Sequence, residues 1–379
     1  MADVSSTDEK VVLAAEKIPV VFIHGVKGSF LARKGTDKIV YVRTSQALTR
    51  SGTFFYGEDD SLALPMNWVE NDQKLFSQET DDIIAVKPLD KLKFACIPVV
   101  NIYAPFLEAL QKSNRPFYPF AYDWRRDNTE TVRKFSEFVR SVHDKHNTKV
   151  QIVAHSMGGL VTMGLLHDHS EAVHSVLFAG TPFRAGVNYL EDLTIGAPIG
   201  RNTKLLSASV LFTFPSSFSF FAVNEQDGLD SNTGFKDSDG KDYYVDLYDS
   251  DEWLKRKLSI FRDGPVDDAT IRYLTKALET AKSFRERFLV FNEEISYPPI
   301  AVLAANTLKS KSHALITESD SGSTLDFECL NQRDGDGRVI FDNAKPPEGI
   351  EHTVYEATTQ TEHSLLLNDT SLVLKILLD

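Results

Sequence analysis

A chain of 379 residues, 42% apolar and 25% charged, has the size and composition of one large α/β domain or two smaller ones, with a sizeable core. Its formal net charge of −13 argues against nucleic acid as a partner and against simple electrostatic docking to anionic lipid. Two cysteines, Cys96 and Cys329, are too few for a disulfide framework and lack metal-ligand spacing, so both are expected as reduced core residues.

The first ten residues are polar and acidic, without the positive start and apolar centre of a secretory signal. Residues 1–17 are expected to form a disordered tail and residues 18–379 a single domain. No segment has the apolar length of a membrane span. The nearest, residues 205–223, lacks charge but holds five Ser, one Thr and one Pro. The expectation is a cytoplasmic protein, with any contact to a membrane or lipid-droplet surface peripheral and transient.

Residues 18–23 are a continuous, largely β-branched run, expected as a buried strand that feeds the loop His24-Gly25-Val26-Lys27-Gly28. From about 30 to 95 the periodicity is weak and charges are many, which reads as an irregular excursion. Residues 103–112 carry apolar side chains on one helical face, and 117–122 form the next strand, running into Asp123-Trp124-Arg125-Arg126. Asp127 opens a helix with Glu130 in its first turn and Val132, Phe135, Phe138, Val139 and Val142 on its buried face. Strands follow at 149–153 and 173–179, the second ending in Gly180-Thr181-Pro182. Strands alternating with helices imply an α/β fold, a mostly parallel sheet with helices on both faces.

The alternation breaks between about 183 and 296, where a phenylalanine-rich patch, an acidic loop and a helix over 267–288 follow one another. That helix would bury Ile271, Leu274, Leu278, Ala281 and Phe288. So long an excursion reads as a cap or lid insertion. The sheet is expected to resume at 300–306, to pass through a hairpin to 339–341, and to continue at 352–357. A helix over 364–378 closes the chain. Asp237 and Asp239 hint at a calcium loop, but the other ligands and the closing glutamate are missing, so a solvated acidic loop is expected. No phosphate-binding glycine loop or zinc motif occurs, and no cofactor or metal is expected.

The chemistry centres on Ala154-His155-Ser156-Met157-Gly158-Gly159, a serine squeezed between a strand and a helix with small residues two positions to either side. This resembles the nucleophile elbow of α/β-hydrolases, with Ala in place of the first Gly. A serine hydroxyl needs a base within hydrogen-bond reach and an acid to orient it. Of ten histidines, His363 alone follows a late strand and precedes a terminal helix. His24 lies on the first loop, His155 is the variable residue of the elbow, and His352 begins a strand at the wrong end of the sheet. The acid is Asp336, between two glycines, with Asp334 as the alternative. Two backbone N–H donors must face the oxyanion. Met157 supplies one, and Val26 or Lys27 the other.

Five stretches together resemble the lecithin:cholesterol acyltransferase family, which includes lysosomal phospholipase A and phospholipid:diacylglycerol acyltransferases. They are residues 19–30, 119–125, 154–159, 179–182, and 335–339 with His363 beyond. Tyr122-Asp123-Trp124-Arg125 is the most specific, since generic hydrolases lack it. The resemblance implies an α/β-hydrolase fold, a catalytic serine, aspartate and histidine at Ser156, Asp336 and His363, and an oxyanion hole from Val26 and Met157. It implies transfer of an acyl group from a lipid ester to an alcohol or to water. His24-Gly25 replaces the family's usual Pro-Gly, and the cysteines of its secreted members are absent. The alternatives are a soluble carboxylesterase on small esters and a non-catalytic binding protein on a hydrolase scaffold.

Residues 211–221 place Phe212, Phe214, Phe218, Phe220 and Phe221 among serines and a proline. A phenylalanine cluster is ordinarily core, but that composition spoils both a strand interior and a helix, so a flexible apolar lid over an acyl chain competes with the core reading.

Overall fold

Six parallel strands form the central sheet: β1 (Val20–Ile23), β2 (Phe117–Phe120), β3 (Val150–His155), β4 (Val173–Ala179), β5 (Ile300–Ala304) and β6 (Thr353–Glu356). They lie in the order β6-β5-β4-β3-β1-β2. The computed structural model describes residues 18–36, 38–43, 45–46, 61–70, 76–94, 97–231, 233–319, 322–328, 332–357 and 360–378. The expected tail and both cysteines fall outside these residues.

Parallel neighbours cannot be joined by a tight turn, so each connection must cross a face of the sheet. Strand periodicity decides what each face meets. Val20, Phe22, Val153, Leu177 and Leu303 point to the side covered by α1 (Ala104–Lys112) and, at the chain's end, α6 (Thr370–Ile376). Val21, Ile23, Ile152, Val176, Phe178 and Val302 point to the other. That side is covered by α2 (Asn128–His146), α3 (Met157–His169) and α5 (Asp268–Phe288). Asp127 starts α2 by accepting the backbone N–H groups of Thr129 and Glu130. Asp267 caps α5 in the same way through Thr270. α5 packs on α2 and α3 and carries the chain across from β4 to β5. The long stretch read as an insertion therefore contains a helix of the main layer, alongside α4 (Asn188–Ile195).

Several elements differ from the sequence reading. The excursion after β1 is partly regular. Ser29–Arg33 pairs with Ile39–Tyr41 and Ile83–Pro88 in a small antiparallel sheet, and Lys91–Phe94 pairs with Ile97–Asn101. Its periodicity is weak because Ile84 and Val86 stand exposed on a strand whose ends are buried. In place of the expected strand at 339–341, Val339 lies in a bend, Ile340 makes a single bridge to Gly335 and Phe341 opens a 3₁₀ turn, Phe341–Ala344, while Leu308–Lys311 pairs with Gln332–Gly335. The closing helix is split into a 3₁₀ segment, His363–Asn368, and α6. Asp369 divides them by turning its side chain onto the Leu372 N–H, an N-cap conformation that interrupts the helix.

The phenylalanine-rich segment also differs. Phe212, Phe214, Phe218 and Phe221 are at most 1% exposed and Phe220 is 7% exposed, so they form core and not a mobile apolar cover. Phe218 meets Trp253 edge-on at 5.6 Å and Phe212 at 5.8 Å, while Phe214 meets Trp124 at 5.7 Å. Two of the interleaved serines enter this core because backbone carbonyls satisfy them. Ser216 donates to Trp124 O (2.7 Å) and Ser217 to Leu211 O (2.9 Å). A short helix and a 3₁₀ turn, Ala208–Phe212 and Pro215–Phe220, tolerate the proline that a long helix would not. Phe218→Ala is therefore expected to lower unfolding free energy by about 3–5 kcal/mol in urea titration, the cost of a large buried ring. A loss under about 1 kcal/mol would show a ring that the core does not need.

Candidate active site

Ser156 joins the last residue of β3 to the first of α3 with φ 54° and ψ −127°. A non-glycine residue with positive φ is strained, and it persists only where the surroundings enforce it. Here the enforcement is packing. A Cβ on Gly158 would stand 2.5 Å from His24 O and 2.8 Å from Ile23 O, so the first turn of α3 presses directly on the end of β1. The hydroxyl is thereby lifted above the carboxyl ends of the strands.

His363 opens the 3₁₀ segment that follows β6, and Asp336 lies in the loop after Gln332–Gly335. The His363 Nδ1–H donates to Asp336 Oδ2 at 2.7 Å. With that proton placed by a carboxylate acceptor, Nε2 accepts from the Ser156 hydroxyl at 2.9 Å. The two loops also hold each other, because the His363 N–H donates to Asp336 O at 2.9 Å. Asp336 Oδ1 accepts the N–H groups of Arg338 (3.0 Å) and Val339 (2.7 Å). Gly180, with φ 56°, lies beneath this contact. A Cβ there would come within 3.0 Å of Asp336 Oδ2 and 3.1 Å of His363 Nδ1. Asp334 is not part of the arrangement, being an exposed residue paired with Lys309 at 2.6 Å.

Burial pushes the Asp336 carboxyl up, but the His363 charge and the hydrogen bonds from His363, Val339 and Arg338 outweigh it and hold the group below its ordinary 3.8. Two buried histidines beside the site are neutral. His24 is pushed down to about 4 by burial, against a backbone hydrogen bond to Gly25. Its ring stacks on Tyr122 at 4.3 Å, and the Tyr122 hydroxyl donates to His24 O at 2.9 Å. His155 is pushed down to about 3, chiefly by burial and next by the charge of His363.

Met157 occupies the first position of α3, where a backbone N–H has no partner within the helix and the helix dipole favours negative charge. Val26 and Lys27 border the same cavity as Ser156. Lys27 Nζ pairs with Asp192 of α4 at 3.3 Å, and Arg338 reaches the same carboxylate at 2.8 Å. The cavity measures about 680 Å³. Val42, Leu89 and Leu92 of the excursion and Tyr189 and Phe220 after β4 make much of its apolar wall. Of the five phenylalanines assigned to a lid, Phe220 alone lines this cavity, as a fixed wall stacked on Tyr189 at 4.6 Å. Among the described residues no cluster of His, Cys, Asp and Glu is arranged to hold a metal ion.

A family model for lecithin:cholesterol acyltransferase matches residues 69–223. The match covers less than half of the chain. That segment contains Ser156 and the Tyr122–Arg125 motif, whereas Asp336 and His363 lie beyond it. An uncharacterized protein of Saccharomyces cerevisiae is 27% identical over 142 residues, 37% of this chain and 21% of its own length. The chain thus spans about a fifth of that relative. Among solved structures, the Tle4-Tli4 complex aligns over 96% of this chain and 97% of its own matched chain, with a TM-score of 0.55 at 14% identity. The mature Bacillus licheniformis lipase BlEst2 covers 96% and 92% at 14% identity, with a TM-score of 0.41. The fold is that of the α/β-hydrolases, as expected from the sequence.

The carboxyl of Asp336 also links to stability. Its folded pKa lies below the unfolded value, so its contribution is present above about pH 4 and is lost as pH falls through the lowered folded value. Asp336→Asn should therefore be less stable than wild type at pH 7, with a gap that narrows on acidification. Urea titrations across that range check this, and a gap that stays constant down to pH 2 would contradict it.

Proposed function

We propose that the protein is a lipase- or esterase-type acyl hydrolase that forms an acyl-enzyme on Ser156 and passes the acyl group to water or an alcohol. The observation that carries this reading is the continuous Ser156–His363–Asp336 hydrogen-bond chain, set on a strained elbow at the floor of an apolar cavity. The family segment and the fold support the coarser part, an ester-cleaving enzyme.

In the proposed reaction Ser156 Oγ attacks the ester carbonyl carbon while His363 Nε2 takes its proton. Asp336 holds the imidazole in the required tautomer and stabilises its positive charge. The carbonyl oxygen becomes an oxyanion, stabilised by the N–H groups of Met157 and Val26. Collapse expels the alcohol, which leaves with the proton from His363. Water or an acceptor alcohol, deprotonated by His363, then attacks the acyl-serine and restores the hydroxyl. The apolar wall favours an ester with a sizeable hydrocarbon part, and its burial drives binding without help from charge. No helix among the described residues is long and apolar enough to cross a membrane, so the proposed encounter with a lipid surface is peripheral.

A serine-reactive fluorophosphonate is expected to label the wild type and not Ser156→Ala. That variant should lose roughly 10⁴-fold or more of ester turnover while remaining folded. Absence of labelling would favour a binding protein on this scaffold. A panel of short-chain and long-chain esters separates a carboxylesterase from a lipid hydrolase, and product analysis with an added alcohol separates transfer from hydrolysis. Asp336→Asn should lower kcat by roughly 10⁴-fold through the wrong imidazole tautomer, and the exposed Asp334→Asn should leave kcat unchanged. The reverse ranking would move the acid to Asp334.

A further inference from the structure

His155 ends β3 immediately before Ser156, and Tyr103 immediately precedes α1. Both are almost wholly buried, at 4% and 2% exposure. Buried polar groups need partners, and here the partners form one directed chain. His155 Nε2 lies 2.9 Å from the carbonyl oxygen of His363, which only accepts, so Nε2 carries the proton. Nδ1 then accepts, and the Tyr103 hydroxyl 2.8 Å away donates to it. Tyr103 Oη in turn lies 3.4 Å from the Gly25 N–H, which donates to it. The chain thus runs from the loop that carries Val26, past the nucleophile, to the main chain of His363.

Both rings are fixed by their neighbours. Tyr103 meets Phe22 edge-on at 5.0 Å, and the His155 ring stands 4.9 Å from that of His363. Burial keeps His155 neutral and pushes the Tyr103 phenol well above its ordinary value, so the donor and acceptor roles persist throughout the neutral pH range. An ionisable histidine here would place a second cation against His363 whenever the latter took up a proton. A neutral one holds the backbone without opposing that charge.

We propose that His155 and Tyr103 are positioning residues, a neutral relay that sets the main chain of His363 and the Gly25–Val26 loop at fixed distances from Ser156. The inference rests on the reading of Ser156 and His363 as nucleophile and base. Neither relay residue reacts with substrate. Each acts through a backbone group of a residue that does, or of that residue's neighbour.

Tyr103→Phe keeps the ring and removes only the hydroxyl. With p-nitrophenyl butyrate as a soluble probe ester, it should lower kcat by about 10- to 100-fold, the scale of a small misplacement of reacting groups. KM and the melting temperature should stay close to wild type, and fluorophosphonate labelling should slow in proportion to kcat. His155→Gln, which retains a donor and an acceptor, should keep more activity than His155→Phe. Because the residues act in series, Tyr103→Phe added to His155→Phe should cost little more. Wild-type kcat in Tyr103→Phe would overturn the proposal. So would a fall in kcat matched by a fall in melting temperature and adding fully to that of His155→Phe, since that pattern marks a purely structural role. If the wild type neither takes the fluorophosphonate nor turns over the ester, the reading of Ser156 fails and the relay falls with it. Labelled wild type with unimpaired variants overturns the relay alone.

Discussion

The guanidinium of Arg125 is fully buried, and the rest of the architecture around the site is arranged to satisfy it. All five of its N–H groups have acceptors. Asp123 takes two (2.9 and 2.7 Å), Asp81 takes two (2.8 and 3.1 Å) and Leu62 O takes the last (2.9 Å). Burial would lower the pKa of such a group, and the two carboxylates more than reverse this. Removing one partner of a buried pair of this kind costs about 3–5 kcal/mol, because the remaining charge stays desolvated. The constraint is spatial as well as energetic. Asp123 follows β2, while Asp81 and Leu62 belong to the excursion after β1, so a segment remote in sequence is pinned to the sheet. Arg126 adds a second clip, donating to Gln78 O at 2.6 Å. Ser216, bonded to Trp124 O, draws the phenylalanine-rich core to the same point. The motif that most closely resembles the family is thus a fastening, and it holds in place two of the walls of the cavity.

Around the serine, the electrostatics are divided between groups that stay neutral and groups that stay charged. His24 and His155 are too buried to protonate near neutral pH, while Asp336 is buried yet ionised because His363 and two backbone amides face it. The one imidazole next to the hydroxyl is therefore the one with a carboxylate on its far side. His24 also accounts for the departure from the family's Pro-Gly. Its ring stacks on Tyr122 of the fastening motif, so the loop after β1 is held by a side-chain contact where a proline would hold it by backbone rigidity.

Much of this was legible in the sequence because the relevant signals are local. The alternation of β3, α3 and β4 shows in short apolar runs, and the small residue at Gly158 marks the close approach that an elbow requires. Ser156, Asp336 and His363 could be singled out by order along the chain. The distances between them depend on loops converging from three strands, which no periodicity records. His155 read as a variable position because its partners, Tyr103 and His363, lie 52 and 208 residues away. Gly180 was similarly hidden, since its value lies in what packs above it. The phenylalanine-rich segment misled for a different reason. Interleaved serines normally mark solvent, but here the hydroxyls of Ser216 and Ser217 are consumed by backbone carbonyls, and composition alone carries no sign of that.

Asp192 gives the connection between β4 and β5 a role that its position in the chain conceals. It belongs to α4, yet its carboxylate is shared by Lys27, next to Val26, and by Arg338, two residues beyond Asp336. Deleting α4 would leave two cations that both line the cavity without the carboxylate they share. The helix is therefore not a detachable module that could be trimmed away or exchanged for another cap while the sheet retained a working centre. Any substitute for this helix would have to bring back a negative charge at the same point, and the freedom to reshape the cavity lies in its apolar walls.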